Sequence, residues 1–277
     1  FNTELMYEIG RVIANNCIQA DIACLYGPGA NMHRTPYGGR NFEYYSEDPF
    51  LAGEMCAQEV QAMTDKGIFV VLKHFALNDS EQDRIGLGVW LNEQSAREIY
   101  LKAFQAPVEE ADAGLMVAYT RWGTIWSGGN YNLMTNIVRG EWGKIGLIIT
   151  DNVLTSYVNG VDGIMAGGVS TYDAMLPLVT NQLPEYKNDP VIVTAMREAC
   201  HQNLYSVANS AGMNGVTADT VIKVNDIAMV KASKMGAIVF SIAVVACLIM
   251  WMVNRRKFMQ TEVYAEYQEF KSLDKLG

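Results

Sequence analysis

Positive charge is in short supply in this sequence: 21 Lys and Arg stand against 30 Asp and Glu, for a formal net charge of −9. No basic stripe is available to neutralise phosphates, which excludes nucleic acid as the expected partner and leaves neutral and cationic ligands open. Histidine is scarcer still, with three residues, His33, His74 and His201. They fall on different predicted elements, so no metal and no other cofactor is expected. The five cysteines, Cys17, Cys24, Cys56, Cys200 and Cys247, form no Cys-x-x-Cys pair. An odd count without that spacing argues against a disulfide framework or a zinc site and in favour of core packing. An initiator methionine and a signal peptide are also missing at Phe1. Because residues 1–20 are already in helical periodicity, the chain reads as a fragment or a processed product.

Half of the 277 residues are hydrophobic, enough for a sizeable core in one or two domains. Apolar positions at Leu5, Ile9, Val12, Ile13 and Cys17 predict an amphipathic helix. Ile22 to Tyr26 predicts a strand broken by Gly27-Pro28-Gly29, after which a loop dense in Arg, Asn, Tyr and Gly runs to Asp48. Asp48 and Pro49 read as N-cap and first residue of a helix over roughly 49–65, closed by Gly67. Strands follow at Ile68 to Leu72, Leu115 to Ala118 and Leu147 to Thr150, with a weaker one at Gly163 to Gly167. Helices are expected over 93–112, kinked at Pro107, over 131–140, and from Asp189-Pro190 to about Ser210. Alternating strand and helix is the pattern of a parallel sheet. Polar groups recur at successive strand ends, which favours a barrel, although about five strands are present where a complete barrel needs eight. The expected fold class is α/β, a partial (β/α)8-type, TIM-like barrel followed by a single transmembrane helix.

Asp151 ends the apolar run Leu147 to Thr150, and the end of a barrel strand is where catalytic groups sit. The plain alternative is a helix N-cap or loop acid. Three stretches bear on the choice. Residues 26–48 read YGPGANMHRTPYGGRNFEYYSED, residues 73–79 read KHFALND with Arg84 ten positions after His74, and Arg139-Gly140-Glu141-Trp142-Gly143 precedes Asp151. In their order and spacing, over about residues 1–215, these stretches resemble glycoside hydrolase family 3, the β-glucosidase and β-xylosidase group. The resemblance implies that Asp151 is the nucleophile of a retaining β-glycosidase acting on oligosaccharides or β-glycosides with terminal β-D-glucosyl or xylosyl residues. It also implies that Arg40, Lys73, His74, Arg84 and Tyr119 contact the sugar in the first subsite. Arg and Lys-His donors suit adjacent hydroxyls. Structural alternatives stand beside these roles: Arg40 can pair with Glu43 in its own loop, and Arg84 with Asp79 or Asp83.

Two departures from the family pattern stand out. Asn152 occupies the position where most members carry Trp, which removes an apolar wall of the subsite. The second histidine of the family's N-acetylglucosaminidase branch is missing from the 73–79 loop. The resemblance further implies that the acid/base belongs to a sandwich domain, here on an upstream segment or a separate chain.

The sequence changes character after 213. A polar connector is expected over 214–234, and Met235 to Val253 is an uncharged run of nineteen residues. As a helix it reaches about 28 Å at ~1.5 Å per residue, close to the ~30 Å hydrocarbon core. Arg255-Arg256-Lys257 follow, so the barrel of residues 1–213 is expected outside the cell membrane and the tail of 254–277 in the cytoplasm. The alternative function is a catalytically silent, membrane-anchored carbohydrate-binding or surface-assembly subunit.

Overall fold

The computed structural model describes residues 1–153, 158–174, 182–221 and 228–273. Residues 222–227 of the expected connector and 274–277 of the expected tail lie outside the described residues. Two compact units are present, Phe1–Val216 and Thr217–Gly277.

The first unit is built on four parallel strands, β1 (Cys24–Gly29), β2 (Phe69–Phe75), β4 (Gly114–Val117) and β7 (Ile148–Thr150), hydrogen-bonded in chain order. Sequential order without a reversal point distinguishes a barrel wall from a doubly wound sheet. Helix α2 (Pro49–Thr64) fills the first crossover and is capped by the Asp48 carboxylate, which accepts from the Leu51 N–H at 2.9 Å. It packs on α1 (Thr3–Gln19) at Gly10, where an added Cβ would lie 2.3 Å from the Glu59 carbonyl oxygen. The second crossover carries α3 (Glu93–Ser95), a π-helical turn over Ala96–Tyr100 and α4 (Lys102–Ala111). Pro107 lies inside α4, and the departure from α geometry comes earlier, where the Leu101 N–H reaches the Ala96 carbonyl. A wide-turned helix over Asn132–Glu141 precedes β7.

Alternate residues of the strands divide between two cores. Val70, Leu72, Leu115 and Ile148 face the helices together with Phe104, whereas Val71, Met116 and Ile149 form a smaller cluster on the other face. The register slips between Lys73 and Phe75, so Phe75 returns to the helix side and packs edge-on against Phe104 and Trp142. Lys73 follows Val71 on the face away from the helices, the slip comes at His74, and the two adjacent residues lie at the same end of the sheet.

Three sequence expectations are corrected. Gly163 to Gly167 is not a strand: α5 (Gly160–Met165) occupies most of it, capped by Asn159. The next position in the sheet is instead taken by Thr171, which bridges Ile149 in parallel. Asn159 satisfies the first helical N–H groups, and this local cap outweighs the apolar character of Ile164 and Met165. Strand β1 runs through Gly27-Pro28-Gly29 because a bulge at Tyr26/Gly27 absorbs the break. Of the cysteines, only Cys17 and Cys56 are core residues, and Cys24, Cys200 and Cys247 are exposed.

A second, three-stranded sheet of β3 (Gly88–Val89), β5 (Arg121–Trp122) and β6 (Ile125–Trp126) joins the polar loop after β2 to the segment after β4. After β7 come α6 (Pro190–Ala208), opened by Asp189, and in the second unit α7 (Ala228–Met259) and α8 (Glu262–Leu273). Helix α7 has 32 residues and is long and apolar enough to cross a membrane.

Candidate active site

The C-terminal ends of β2, β4 and β7 converge on Asp151. Its backbone N–H donates to the Val117 carbonyl at 2.9 Å, a bond that continues the β4–β7 ladder and fixes where the side chain starts. Carboxylate oxygen Oδ1 accepts the backbone N–H of Asn152 at 2.7 Å, and Oδ2 lies 3.4 Å from Arg84 Nη1 and 3.8 Å from His74 Nε2. The side chain is 15% exposed, so the carboxylate is shielded yet reachable.

His74 is held by Asn31, in the loop after β1. The Asn31 Oδ1 accepts the His74 N–H at 2.8 Å and its Nδ2 donates to the His74 carbonyl at 3.0 Å. Arg40 Nη1 donates to His74 Nε2 at 2.7 Å; since guanidinium only donates, Nε2 accepts and the ring proton sits on Nδ1. Burial, followed by the charges of Arg40, Lys73 and Arg84, pushes the imidazole down to about 2. His74 is therefore a neutral neighbour of Asp151 rather than its ion-pair partner.

Tyr119 closes the other side. Its hydroxyl donates to the Asn152 carbonyl at 2.6 Å, and the Arg84 guanidinium lies 4.6 Å above its ring. Burial first, and then the Asp151 charge, pushes the phenol up to about 12. Asn152 contributes through its main chain, and its buried Oδ1 accepts no hydrogen bond.

Arg40, Lys73 and Arg84 meet three carboxylates. Arg40 pairs with Glu43, Lys73 Nζ lies 3.3 Å from Glu43 Oε2, and Arg84 Nε lies 3.2 Å from Glu81 Oε2. With Asp151 the count is three anions to three cations. The Arg40–Glu43 pairing within the loop is thus present together with the His74 contact. Arg84 bonds neither Asp79 nor Asp83: Asp79 turns instead to the Met32 N–H at 2.9 Å. The structure brings together all seven residues singled out in the sequence. It adds Asn31 and Glu81, for which the sequence offers only a polar loop composition. A cavity of about 370 Å³ lined by Glu81, Asp83, Arg84 and Ile85 opens beside this cluster. Another, of about 420 Å³, lies away from it beside Trp122, Asn132 and Asn136 and contains none of these residues. Among the described residues, no group of three or more His, Cys, Asp or Glu is arranged to hold a metal ion.

Residues 1–166 match the glycosyl hydrolase family 3 N terminal domain. The chain belongs to glycosyl hydrolase family 3. An exo-alpha-(1->6)-L-arabinopyranosidase of Bifidobacterium longum is 40% identical over 152 residues, which are 54% of this chain and 20% of that protein. A beta-glucosidase of Ruminococcus albus is 39% identical over 152 residues, 54% of this chain and 16% of its own length. The chain thus spans about a fifth of the curated relatives it matches. Among solved structures, a family 3 beta-glucosidase of Bifidobacterium adolescentis superposes with a TM-score of 0.72 at 31% identity, covering 80% of this chain and 33% of that one. Beta-glucosidase 3B from Thermotoga neapolitana in complex with glucose gives 0.71 at 28%, covering 77% and 31%. In glycosyl hydrolase family 3 the sheet described above is the wall of an α/β, TIM-like barrel.

Proposed function

We propose that this chain carries the nucleophile of a retaining β-glycosidase of the β-glucosidase type, acting on terminal β-D-glucosyl or xylosyl residues. The observation that carries the reading is Asp151 at a barrel strand end, oriented by the Asn152 N–H and Arg84 and flanked by neutral His74 and Tyr119. Asp151 attacks the anomeric carbon as the leaving oxygen takes a proton from a second carboxyl group, and the covalent glycosyl-enzyme is then hydrolysed by water. Arg40, Lys73 and His74 bind the sugar hydroxyls, and neutral His74 sets its Nε2 beside Asp151 without adding charge, its Nδ1 being turned to the buried Tyr44 hydroxyl. Glu43 and Glu81 serve as counter-ions, and the family resemblance assigns the acid/base to an upstream or partner domain, within about 5–5.5 Å of Asp151. Helix α7 spans the cell membrane once, with Arg255, Arg256 and Lys257 on the cytoplasmic side and the barrel outside.

A 2-deoxy-2-fluoro-β-glucoside bearing a good leaving group tests this chemistry. Mass spectrometry is expected to find the sugar on Asp151 and to find none in Asp151→Asn. Sugar binding without label on Asp151 sinks the reading in favour of a silent carbohydrate-binding subunit, for which the absent Trp at Asn152 speaks.

A further inference from the structure

We infer that Glu81 is a positioning residue of this centre: it divides the Arg84 guanidinium between itself and Asp151 and ties Arg84 to the loop that carries Arg40. The inference rests on the reading of Asp151 as nucleophile. Arg84 reaches Glu81 at 3.2 Å and Asp151 at 3.4 Å. Both distances exceed the ~2.7–2.9 Å of a full charge-assisted bond, so neither carboxylate holds the guanidinium alone.

Glu81 itself is anchored from three directions. Its Oε1 accepts Asn78 Nδ2 at 2.8 Å and lies 4.0 Å from Arg40 Nη1. Its backbone N–H donates to the Gly38 carbonyl at 3.0 Å. Gly39, at φ +92°, leaves the space its side chain needs, because a Cβ there would lie 3.0 Å from Glu81 Cβ and Cγ. Glu81 is therefore the seam between the loop after β1 and the loop after β2, and it faces the cavity beside Arg84.

The chemical consequence concerns the nucleophile. An arginine devoted to Asp151 would stabilise the carboxylate before attack more than in the transition state, where its charge is passing to the new bond, and would slow the step. Sharing Arg84 with Glu81 lets the guanidinium orient Asp151 without neutralising it. Asp151 is also faced by His74 from β2, Tyr119 after β4 and the Asn152 N–H; behind these stand Arg40, Lys73 and Glu43, with Asp173 acting on Tyr119. Among the described carboxylates around Asp151, Glu81 is the one bonded to its arginine.

The test is Glu81→Gln in the intact protein, read as kcat, KM and the pH profile of kcat/KM. With the neighbouring anion removed, kcat is expected to fall about tenfold and the acid limb of kcat/KM to move to lower pH. Glu81→Asp, which withdraws the carboxylate by one methylene, moves the limb in the same direction by less and stands in if Glu81→Gln does not fold. An unmoved acid limb in folded variants overturns the proposal, whatever happens to turnover. Failure of the fluoro-glycoside to label the parent protein counts against the glycosidase reading instead.

Discussion

Single buried groups make opposite demands on pH in this fold. His74 takes up a proton near 6.5 in the unfolded chain but only near 2 when folded, because burial and three cations oppose its charge. Below 6.5 the unfolded state therefore binds more protons, and His74 removes stability progressively as pH falls. Asp79 behaves inversely, since burial raises its carboxyl from 3.8 to about 6. The folded state keeps that proton longer, so the cost of the buried anion builds up between about pH 4 and 6 and persists above. Asp79→Asn keeps an acceptor for the Met32 N–H and removes the charge. Denaturant midpoints are expected to show a gain on the order of 1–2 kcal/mol at pH 8 and almost none at pH 4. An equal change at both values would mean that packing, not ionisation, sets the effect. The sequence marked both residues as polar loop or strand-end positions; their environments come from Arg40 and Asn31 in one case and Met32 in the other, all far away in the chain.

At the scale of elements, β7 is delivered to the site by Arg139. From the end of the helix over Asn132–Glu141, its guanidinium donates to the carbonyls of Lys144, Ile145, Gly146, Gly167 and Gly168 and to Gln202 Oε1 on α6, at 2.6 to 3.1 Å. One side chain thus satisfies the turn before β7, the turn after α5 and a helix. Burial pushes it down to about 10, still charged at neutral pH. Arg139→Met leaves those acceptors buried without donors and is expected to cost about 3 kcal/mol or more. Arg139→Lys restores little of it, since a point ammonium cannot reach a fork of acceptors. Urea unfolding measures both, and a loss below about 0.5 kcal/mol for Met would remove Arg139 from this role. Sequence reading placed Arg139 ahead of the nucleophile without a task, because five of its six acceptors are main-chain oxygens, which carry no residue signature. The fifth strand position failed for a related reason: Asn159 capped a helix where apolar residues alone suggested a strand.

At the scale of the whole molecule, the proposed span concerns the unit Thr217–Gly277. Helix α7 exposes Ile238, Phe240, Leu248 and Trp251 on all sides, and a helix apolar all round belongs in a core or in lipid. Ending the chain after Val216 is expected to move it from the membrane pellet to the soluble fraction, whereas the parent chain resists alkaline carbonate extraction. Release of the parent by carbonate would sink the span. The sequence by itself determined the alternation of strand and helix, the caps at Asp48 and Asp189, the long apolar helix and the candidate set around Asp151. Periodicity, capping and motif spacing are local properties, written within a few residues or along one stretch. Only the tertiary structure decided that His74 is neutral, that Arg84 is shared with Glu81 and that Arg139 ties three segments together. Each of those facts needs at least one partner far away in the chain, Arg40 for His74, Asp151 for Arg84 and Gln202 for Arg139, which no local pattern encodes.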